Sequence, residues 1–316
     1  MSILITGAAG FIGQELTTAL LKSTPSSTRL TITDVTTPII PVSAQEHASQ
    51  VKSVKADLTS RSAVDGLISK SAAYDVVYLV HGIMSSASEA DFDLGMSVNF
   101  FATHYILDRL RHTMPGVKVV FTSTLAVHGP TAAGFIINER NLPQIPTSSY
   151  VELLINDYSR RGFIDGRSVR LPTVTVRAGK PTQAASSFAS GIIREPLNGK
   201  RSILPVKRDT ELWICSPYTV VENLILAKDI PKEAFGDSRS VNLPGVKVTV
   251  QEMLDVLEEV AGKERRELVE EKYDPAIDRI VSGWSPNFDT SWAKSLGFKE
   301  DMPFIHSVKR YIRDTS

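Results

Sequence analysis

The hydrophobic pattern at the N-terminus predicts a strand, a tight turn and a helix in immediate succession. The apolar run Ile3–Ile5 leads into a short glycine-rich turn, and an amphipathic stretch from Gln14 to Leu21 follows it. A second apolar run, residues 30–33, ends at Asp34. Apolar strands that alternate with an amphipathic helix predict the β-α-β unit of a parallel sheet.

The same alternation continues along the first half of the chain. After a loop at 36–49, the pattern predicts strands at Gln50–Ala56, Tyr74–Val80 and Val117–Phe121 and a long helix at Asp91–Met114. Tyr74–Val80 is mostly apolar, as expected of a strand that is buried on both faces. The pattern therefore predicts an α/β fold with a doubly wound parallel sheet.

The glycine-rich turn has the composition of a dinucleotide site. Its glycines, at three-residue spacing, are Gly7, Gly10 and Gly13. One makes the tight turn, one lets backbone approach a pyrophosphate, and one lets the helix pack on the strand. The N–H groups of Phe11 and Ile12, where the helix begins, would then face the phosphates. Asp34 follows about 20 residues later, where a carboxylate binds the ribose hydroxyls and repels a 2′-phosphate. The pattern therefore predicts NAD rather than NADP as the cofactor. The alternative is that the glycines form an ordinary turn and that Asp34 only caps a loop.

Polar residues follow the other predicted strands at the carboxyl edge of the sheet, where doubly wound folds bind ligands. Asp57 and Leu58 are positioned to meet an adenine, although Asp57 equally suits a cap on the next helix. His81 and Ser85 follow the fourth strand, and Ser85 either reaches a substrate or is solvated in its loop. The fifth strand passes into three hydroxyl residues that end at Thr124.

The composition excludes several classes of function. The chain has 316 residues, 42% of them hydrophobic, and its 35 basic and 35 acidic residues give no net charge. Nothing in this balance indicates a nucleic acid or an anionic membrane as partner. The single cysteine, Cys215, cannot form an internal disulfide, and no apolar stretch is long enough for a membrane span. With a strand beginning at residue 3 there is no room for a signal peptide, so we expect a cytoplasmic protein. We also expect no metal site.

The motifs together resemble the extended short-chain dehydrogenase/reductases, also called the NAD-dependent epimerase/dehydratase family. The resemblance is carried by Thr6–Gly13, by the acids at 34 and 57, by Asn99 within the long helix, and by the segment Thr122–Gly129. It implies a Rossmann-type fold, NAD as cofactor, and a role for Asn99 in the active site. His128 stands where the family more often has an aromatic residue.

The resemblance also implies how catalysis would proceed. Hydride transfer from an alcohol to NAD needs a base that takes the hydroxyl proton. The family uses a Ser or Thr that holds the substrate oxygen, a Tyr that takes the proton, and a Lys four residues after the Tyr that lowers its pKa. Thr124 and Tyr150 match the first two. Further segments resemble a branch of the family that oxidises a hydroxyl of a small sugar acid.

The lysine is absent from this chain. Tyr150 is followed by Val-Glu-Leu-Leu, and no lysine lies between Lys118 and Lys180. The sequence after Tyr150 reads as if about six or seven residues, a little under two helical turns, had been lost. Three explanations are open: a gene-model or splicing artefact, an inactive NAD-binding relative, and an active enzyme that uses another cation.

The C-terminal half loses the tight alternation, and we expect a substrate-binding lobe over 177–316 after a dinucleotide-binding domain over 1–176, with a return to the first domain near 212–230. Arg177 and Lys180 follow a predicted strand and would bind a carboxylate or a phosphate of the substrate, or else form surface ion pairs. The family resemblance implies a homodimer, which the shortened helix would weaken. A nucleotide-sugar epimerase or dehydratase is the alternative function.

Overall fold

The computed structural model describes residues 1–69, 71–83, 88, 90–132, 134–144, 146–181 and 184–315. Its helices in chain order are α1 (Phe11–Ser23), α2 (Arg61–Leu67), α3 (Phe92–Met96), α4 (Ala102–Thr113), α5 (Pro146–Arg160), α6 (Ser187–Leu197), α7 (Pro217–Ala227), α8 (Val250–Ala261), α9 (Lys263–Arg266), α10 (Pro275–Ser282), α11 (Ser291–Ser295) and α12 (Phe304–Thr315). Its strands are β1 (Ser2–Thr6), β2 (Arg29–Asp34), β3 (Val51–Lys55), β4 (Val76–Leu79), β5 (Lys118–Thr124), β6 (Asp165–Leu171), β7 (Thr173–Val174), β8 (Ser202–Leu204), β9 (Glu211–Cys215), β10 (Ser240–Asn242), β11 (Val246–Thr249) and β12 (Val269–Glu271).

The larger sheet confirms the predicted fold class. In the described residues it has seven strands, in the order β3-β2-β1-β4-β5-β6-β10. The pairs β1–β2, β2–β3, β1–β4 and β4–β5 are parallel, with Thr6 opposite both Thr33 and Leu79. The strand order reverses between β1 and β4, which is the point where Rossmann-type sheets bind their ligands. The chain therefore has an α/β, doubly wound Rossmann-type fold.

The long helix predicted over 91–114 is present with a change of pitch inside it. A π turn, Ser97–Phe101, joins α3 to α4. The turn carries Asn99, and π turns within α-helices are frequent at functional sites. The stretch predicted as a loop at 36–49 differs from the prediction, since most of it forms a short 3-10 helix, Val42–Gln50.

Strand β6 is not predicted by the hydrophobic pattern because its sequence, DGRSVRL, contains two arginines that are buried. Arg167 is fully buried, contacts Asp165 at 2.8 Å and donates a hydrogen bond to the carbonyl of Ile230 at 2.8 Å. Arg170 is buried against a carboxylate of α5. Charges that are paired in this way can enter a core, which a pattern of hydropathy alone does not reveal.

The described chain forms two compact units. The first comprises Met1–Thr124, Ile145–Arg170 and Val221–Val241, and the second comprises Leu125–Gln144, Leu171–Val220 and Asn242–Ser316. The boundary predicted from the sequence lies after residue 176, and the segment predicted to return to the first domain lies near 212–230. In the first unit, one core lies between the sheet and helices α2, α4 and α5, with Leu4, Val119 and Ile155 fully buried.

The second unit has a core of its own. Helices α6, α8 and α12 pack there around strands β8 and β9, and Ile192, Leu254 and Val308 are fully buried. Helix α8 begins with a capping box, in which Thr249 and Glu252 each bond the other's backbone N–H. Among the described residues no helix is long and apolar enough to cross a membrane.

Candidate active site

The glycine turn connects β1 to α1 in the conformation that a dinucleotide site requires. Gly7 has φ +65°, and a Cβ at this position would lie 2.5 Å from the backbone N of His81. A Cβ on Gly13 would lie 2.3 Å from the carbonyl oxygen of Gly7, whereas one on Gly10 would meet that oxygen at a milder 3.2 Å. Gly7 and Gly13 are therefore required by the close packing of the turn, and Gly10 leaves its outer side open.

The start of α1 is available for an anion. Gly10 is its N-cap and provides no side-chain cap, and the first turn of this described helix contains no acidic residue. The first N–H groups of an α-helix lack partners inside the helix and carry the positive end of its dipole. Phe11 and Ile12 supply such groups beside the turn. These residues fit the pyrophosphate of a dinucleotide.

Asp34 lies at the end of β2 and is held against the glycine turn. One carboxylate oxygen accepts a hydrogen bond from the Ala9 N–H at 3.0 Å, and the other accepts one from the Val35 N–H at 2.7 Å. The side chain is partly exposed, so its charge faces the site without being neutralised by a cation among the described residues. This geometry suits a ribose with free hydroxyls.

Replacing Asp34 by Asn is expected to narrow the preference for NAD over NADP by about tenfold, because the carboxylate that repels a 2′-phosphate is lost. The measurement is the shift in melting temperature over a titration with each dinucleotide. Asp57→Asn is the matched control, since Asp57 also follows a strand of the same sheet, and it should leave the preference within about twofold. An unchanged preference in Asp34→Asn would show that Asp34 does not contact the ribose.

Asp57 and Leu58 follow β3. Asp57 is exposed, and its Oδ1 accepts hydrogen bonds from the N–H of Thr59 at 3.0 Å and from its hydroxyl at 2.7 Å. Leu58 is buried in the core of the first unit. These bonds lie in the turn before α2, whose N-cap is Ser60, so Asp57 is not the helix cap that the sequence allowed, and its contact with an adenine stays a prediction. Ser85 lies outside the described residues.

His81 and Asn99 connect the end of β4 to the helix behind it. The His81 ring lies between Thr6 Oγ1, 2.7 Å from Nδ1, and Thr103 Oγ1, 3.1 Å from Nε2. Asn99 Oδ1 accepts a hydrogen bond from the Ile83 N–H at 2.8 Å, and Nδ2 donates to the Ile83 carbonyl at 3.1 Å. The Asn99 amide therefore holds the backbone at Ile83, and the His81 ring connects β1 to α4 through two threonine hydroxyls.

The stability of the protein is expected to fall as the pH is lowered from about 6.5 to 4. Burial lowers the pKa of His81 to about 4, below its ordinary value of 6.5. The unfolded chain then binds this proton more readily, so stability present above pH 6.5 is lost progressively toward pH 4, by up to about 3 kcal/mol. Chemical denaturation across this range is the measurement. His81→Gln should flatten this dependence, while His112→Gln, at an exposed position, should retain it.

A hydrogen bond joins the end of β5 to helix α5, which carries Tyr150. Thr124 is exposed, and its neighbour Ser123 donates a hydrogen bond to Glu152 of α5 at 2.5 Å. Glu152 lies two residues after Tyr150, or about 200° around the helix. The Tyr150 side chain is 49% exposed, and its ring lies edge-on to Phe100 with 6.1 Å between centroids. On α5 it is thus Glu152 that is bonded to β5.

Glu152 is buried at 3% exposure and makes the strongest polar contacts of the helix. It pairs with Arg170 of β6 at 2.6 Å and accepts a further hydrogen bond from Ser240 of β10 at 3.3 Å. Sequence reasoning did not select Glu152, since a glutamate on a helix is usually a solvated residue. The available signal was its position between two apolar residues, Val151 and Leu153.

Arg177 and Lys180 lie in the second unit, after β7. Lys180 is exposed, while Arg177 is partly buried beside helix α6. Arg194 of α6 donates a hydrogen bond to the Arg177 carbonyl at 2.9 Å and pairs with Glu195 at 2.6 Å. Arg194 and Glu195 were not selected from the sequence either. They lie in a segment that resembles the sugar-acid branch of the family, Ser190–Pro196, but only the structure brings them to Arg177.

Comparison with known proteins identifies relatives over the whole chain. The model of the "NAD dependent epimerase/dehydratase family" matches residues 3–213. A D-erythronate dehydrogenase from Haemophilus influenzae is 39% identical over 319 residues, covering 99% of both chains. A D-erythronate dehydrogenase from Cupriavidus necator is 38% identical over 328 residues, covering 99% of this chain and 98% of the relative. Both aligned lengths exceed 316, so the alignments include positions at which this chain has no residue.

A solved structure agrees with the fold throughout. The crystal structure described as the nucleoside-diphosphate-sugar epimerase from Agrobacterium tumefaciens matches with a TM-score of 0.91 and 35% identity. The match covers 100% of this chain and 94% of that one.

Proposed function

Because the chain belongs to the NAD dependent epimerase/dehydratase family, we propose that it is an NAD-dependent oxidoreductase that oxidises a hydroxyl of a small sugar acid, D-erythronate or a close relative. The observation that carries the proposal is the full-length identity of 39% and 38% with two D-erythronate dehydrogenases. The glycine turn and Asp34 of the first unit fit the cofactor that this chemistry needs.

Each proposed role is tied to the position of a residue. Bound NAD supplies the hydride acceptor. Thr124, exposed at the end of β5, orients the substrate hydroxyl, and Tyr150 takes its proton. Asn99 fixes the backbone behind the site through Ile83. In the second unit, Arg177 is the candidate for binding the substrate carboxylate, and Lys180 is the exposed cation of the same stretch.

The direct test is NADH formation by the purified protein with NAD and D-erythronate, followed by absorbance and extended to other four- to six-carbon sugar acids. Oxidation of one of these acids supports the proposal. Binding of NAD with no reduction of it by any acid in the panel would contradict it. D-erythronate with NADP in place of NAD is the control for the cofactor.

A second candidate is an NAD-binding relative with little or no catalytic activity. The observation in its favour is that the helix position of Tyr150 faces away from the bonded Glu152 and has no lysine four residues later. A phenol without a neighbouring ammonium is a weak base at neutral pH. A melting temperature that rises with NAD, combined with no turnover, would favour this reading.

A nucleotide-sugar epimerase or dehydratase is the third candidate, and the 35% identity with the Agrobacterium protein of that description favours it. Enzymes of this kind recycle their NAD within one reaction cycle. NAD retained by the protein through purification, together with a thermal shift by sugar nucleotides, would support it. A panel of sugar nucleotides without any shift would remove it.

The chain is proposed to act in the cytoplasm as a homodimer, in which α4 and α5 of each copy form a four-helix bundle. Three exposed apolar side chains support this association: Leu94 of α3 at 46% and Phe101 of the π turn at 42%, which precede α4 in the same long helix, and Leu153 of α5 at 65%. Shortening of α5 should weaken the association.

A further inference from the structure

The backbone of Arg177 is held on both sides by helix α6. Its N–H donates a hydrogen bond to Ser190 Oγ at 3.1 Å, and its carbonyl accepts one from Arg194 Nη1 at 2.9 Å. Ser190 is fully buried and also donates a hydrogen bond to the Thr175 hydroxyl at 3.2 Å, two residues before Arg177. The polar backbone groups of Arg177 are therefore satisfied, and its guanidinium is the part that remains for another purpose.

The guanidinium of Arg177 has no counter-ion in the part of the chain that the structure describes. Glu195 is the nearby acid, and it pairs with Arg194 at 2.6 Å. Arg177 Nε and Glu195 Oε2 are both buried without a hydrogen-bond partner, so the two do not satisfy each other. Burial and the positive charge of Arg194 lower the pKa of Arg177, as expected when its charge is uncompensated.

The charges of this cluster add to one net positive charge, from two arginines and one glutamate. A partly buried cation without a partner is unfavourable, and an anion that brought one negative charge would relieve it. A guanidinium binds a planar carboxylate with two parallel hydrogen bonds. A diphosphate carries more negative charge than this cluster balances.

Lys180 provides the contrast. It is exposed three residues later in the same stretch, and its ammonium is accessible to water. An exposed lysine gains little from binding an anion, because the charge is already hydrated. Because Arg177 is partly buried, its side chain is expected to discriminate between ligands more strongly than the side chain of Lys180.

We propose that Arg177, and not Lys180, is the residue that recognises the substrate, and that it selects a ligand with a single carboxylate group over a neutral polyol or a sugar diphosphate. This deepens the proposed function and rests on it, since it names the chemical feature of the substrate that is recognised. Ser190 and Arg194 hold the backbone of Arg177.

The test is a binding measurement that needs no turnover. Isothermal titration of the NADH-saturated protein with D-erythronate avoids the reaction, because NADH cannot accept a hydride. The neutral polyol erythritol and a uridine diphosphate sugar are titrated in parallel. D-erythronate should bind at least tenfold more tightly than either of them.

Three variants separate the two cations. Arg177→Met should lower the affinity for D-erythronate by roughly 10- to 100-fold, the effect of losing charge-assisted hydrogen bonds. Arg177→Lys keeps the charge but loses the guanidinium that makes two parallel hydrogen bonds. Its affinity for D-erythronate should lie between that of Arg177→Met and that of the wild type. Lys180→Met is the matched control and should stay within about threefold. Unchanged melting temperatures establish that each variant is folded, and Arg177→Lys carries the test should Arg177→Met not fold.

Wild-type affinity in Arg177→Met, a large loss in Lys180→Met, or no binding of D-erythronate by the wild type would each overturn the inference. Its failure is distinct from that of the proposed function. Arg177-dependent binding of D-erythronate without NADH formation in the presence of NAD would leave the recognition site standing and contradict the oxidoreductase. Turnover of D-erythronate that is unchanged in Arg177→Met would support the oxidoreductase and contradict the recognition site.

Discussion

Inserting six residues after Tyr150, with a lysine at the fourth position, is expected to raise the rate of NADH formation from D-erythronate on the order of 100-fold, which is a typical contribution of general-base catalysis. The ammonium would stabilise the tyrosinate, the form that accepts a proton. Without it, the chain is expected to bind NAD and turn over slowly.

The contacts of Glu152 explain why the inserted length should be six. They attach the later part of α5 to β5, β6 and β10, so an insertion before Glu152 rotates and shifts only what precedes it. At about 100° per residue, six added residues bring Tyr150 to about 80° from the Glu152 direction and the new lysine to about 40°. Seven would leave them at about 180° and 140°. Only the shorter insertion turns both groups toward the sheet.

Two further insertion variants serve as controls. A six-residue insertion with methionine in place of the lysine should remain slow, as should a seven-residue insertion that contains the lysine. Robust turnover by the chain without any insertion would show that the lysine is not required, and Lys180 would then be the substitute cation to examine.

The second large effect is expected from Glu152→Gln, which should lower the free energy of unfolding by about 3 kcal/mol at pH 7, as measured by chemical denaturation. The Glu152 and Arg170 side chains are each about 4% exposed and lie 2.6 Å apart. Glutamine keeps the shape of the side chain but leaves the guanidinium buried without its carboxylate.

The exposed pair of Arg208 and Glu271 provides the matched control. Glu271→Gln removes the same charge from a solvated pair and should change stability by less than about 1 kcal/mol. The double variant Glu152→Met with Arg170→Met should recover much of the loss, because apolar side chains of similar size can replace a buried pair. Equal losses in Glu152→Gln and Glu271→Gln would mean that the buried pair is not a principal support of α5.

The sheet and its binding edge could be predicted because they depend on local patterns. A short apolar run such as Ile3–Ile5, followed by turn residues, is typical of a buried strand. The glycine spacing predicts the turn between β1 and α1. Strand β6 could not be predicted, because Arg167 and Arg170 look like surface residues until their acidic partners are known. The π turn around Asn99 likewise depends on packing behind the sheet and not on helical periodicity.

The geometry of the glycine turn beside Asp34 could be predicted because both belong to one local β-α-β unit. The turn and Asp34 are joined by a contact whose pattern is visible in the sequence. The direction of Tyr150 is set instead by Glu152, through residues of three other strands, and no spacing rule contains that information. The environment of Arg177 was equally hidden, since Ser190, Arg194 and Glu195 come from a helix that follows it in the chain.

The absence of space beside Gly7 limits which genetic changes the protein can tolerate. A Cβ there would meet backbone atoms at 2.5, 2.6 and 2.7 Å, and backbone cannot rotate away as the end of a side chain can. Every missense change reachable by one nucleotide from a glycine codon adds a Cβ. Codon 7 should therefore accept only synonymous changes in a saturation library. Codon 66 should accept many, because a Cβ on Gly66 would meet nothing within 4 Å.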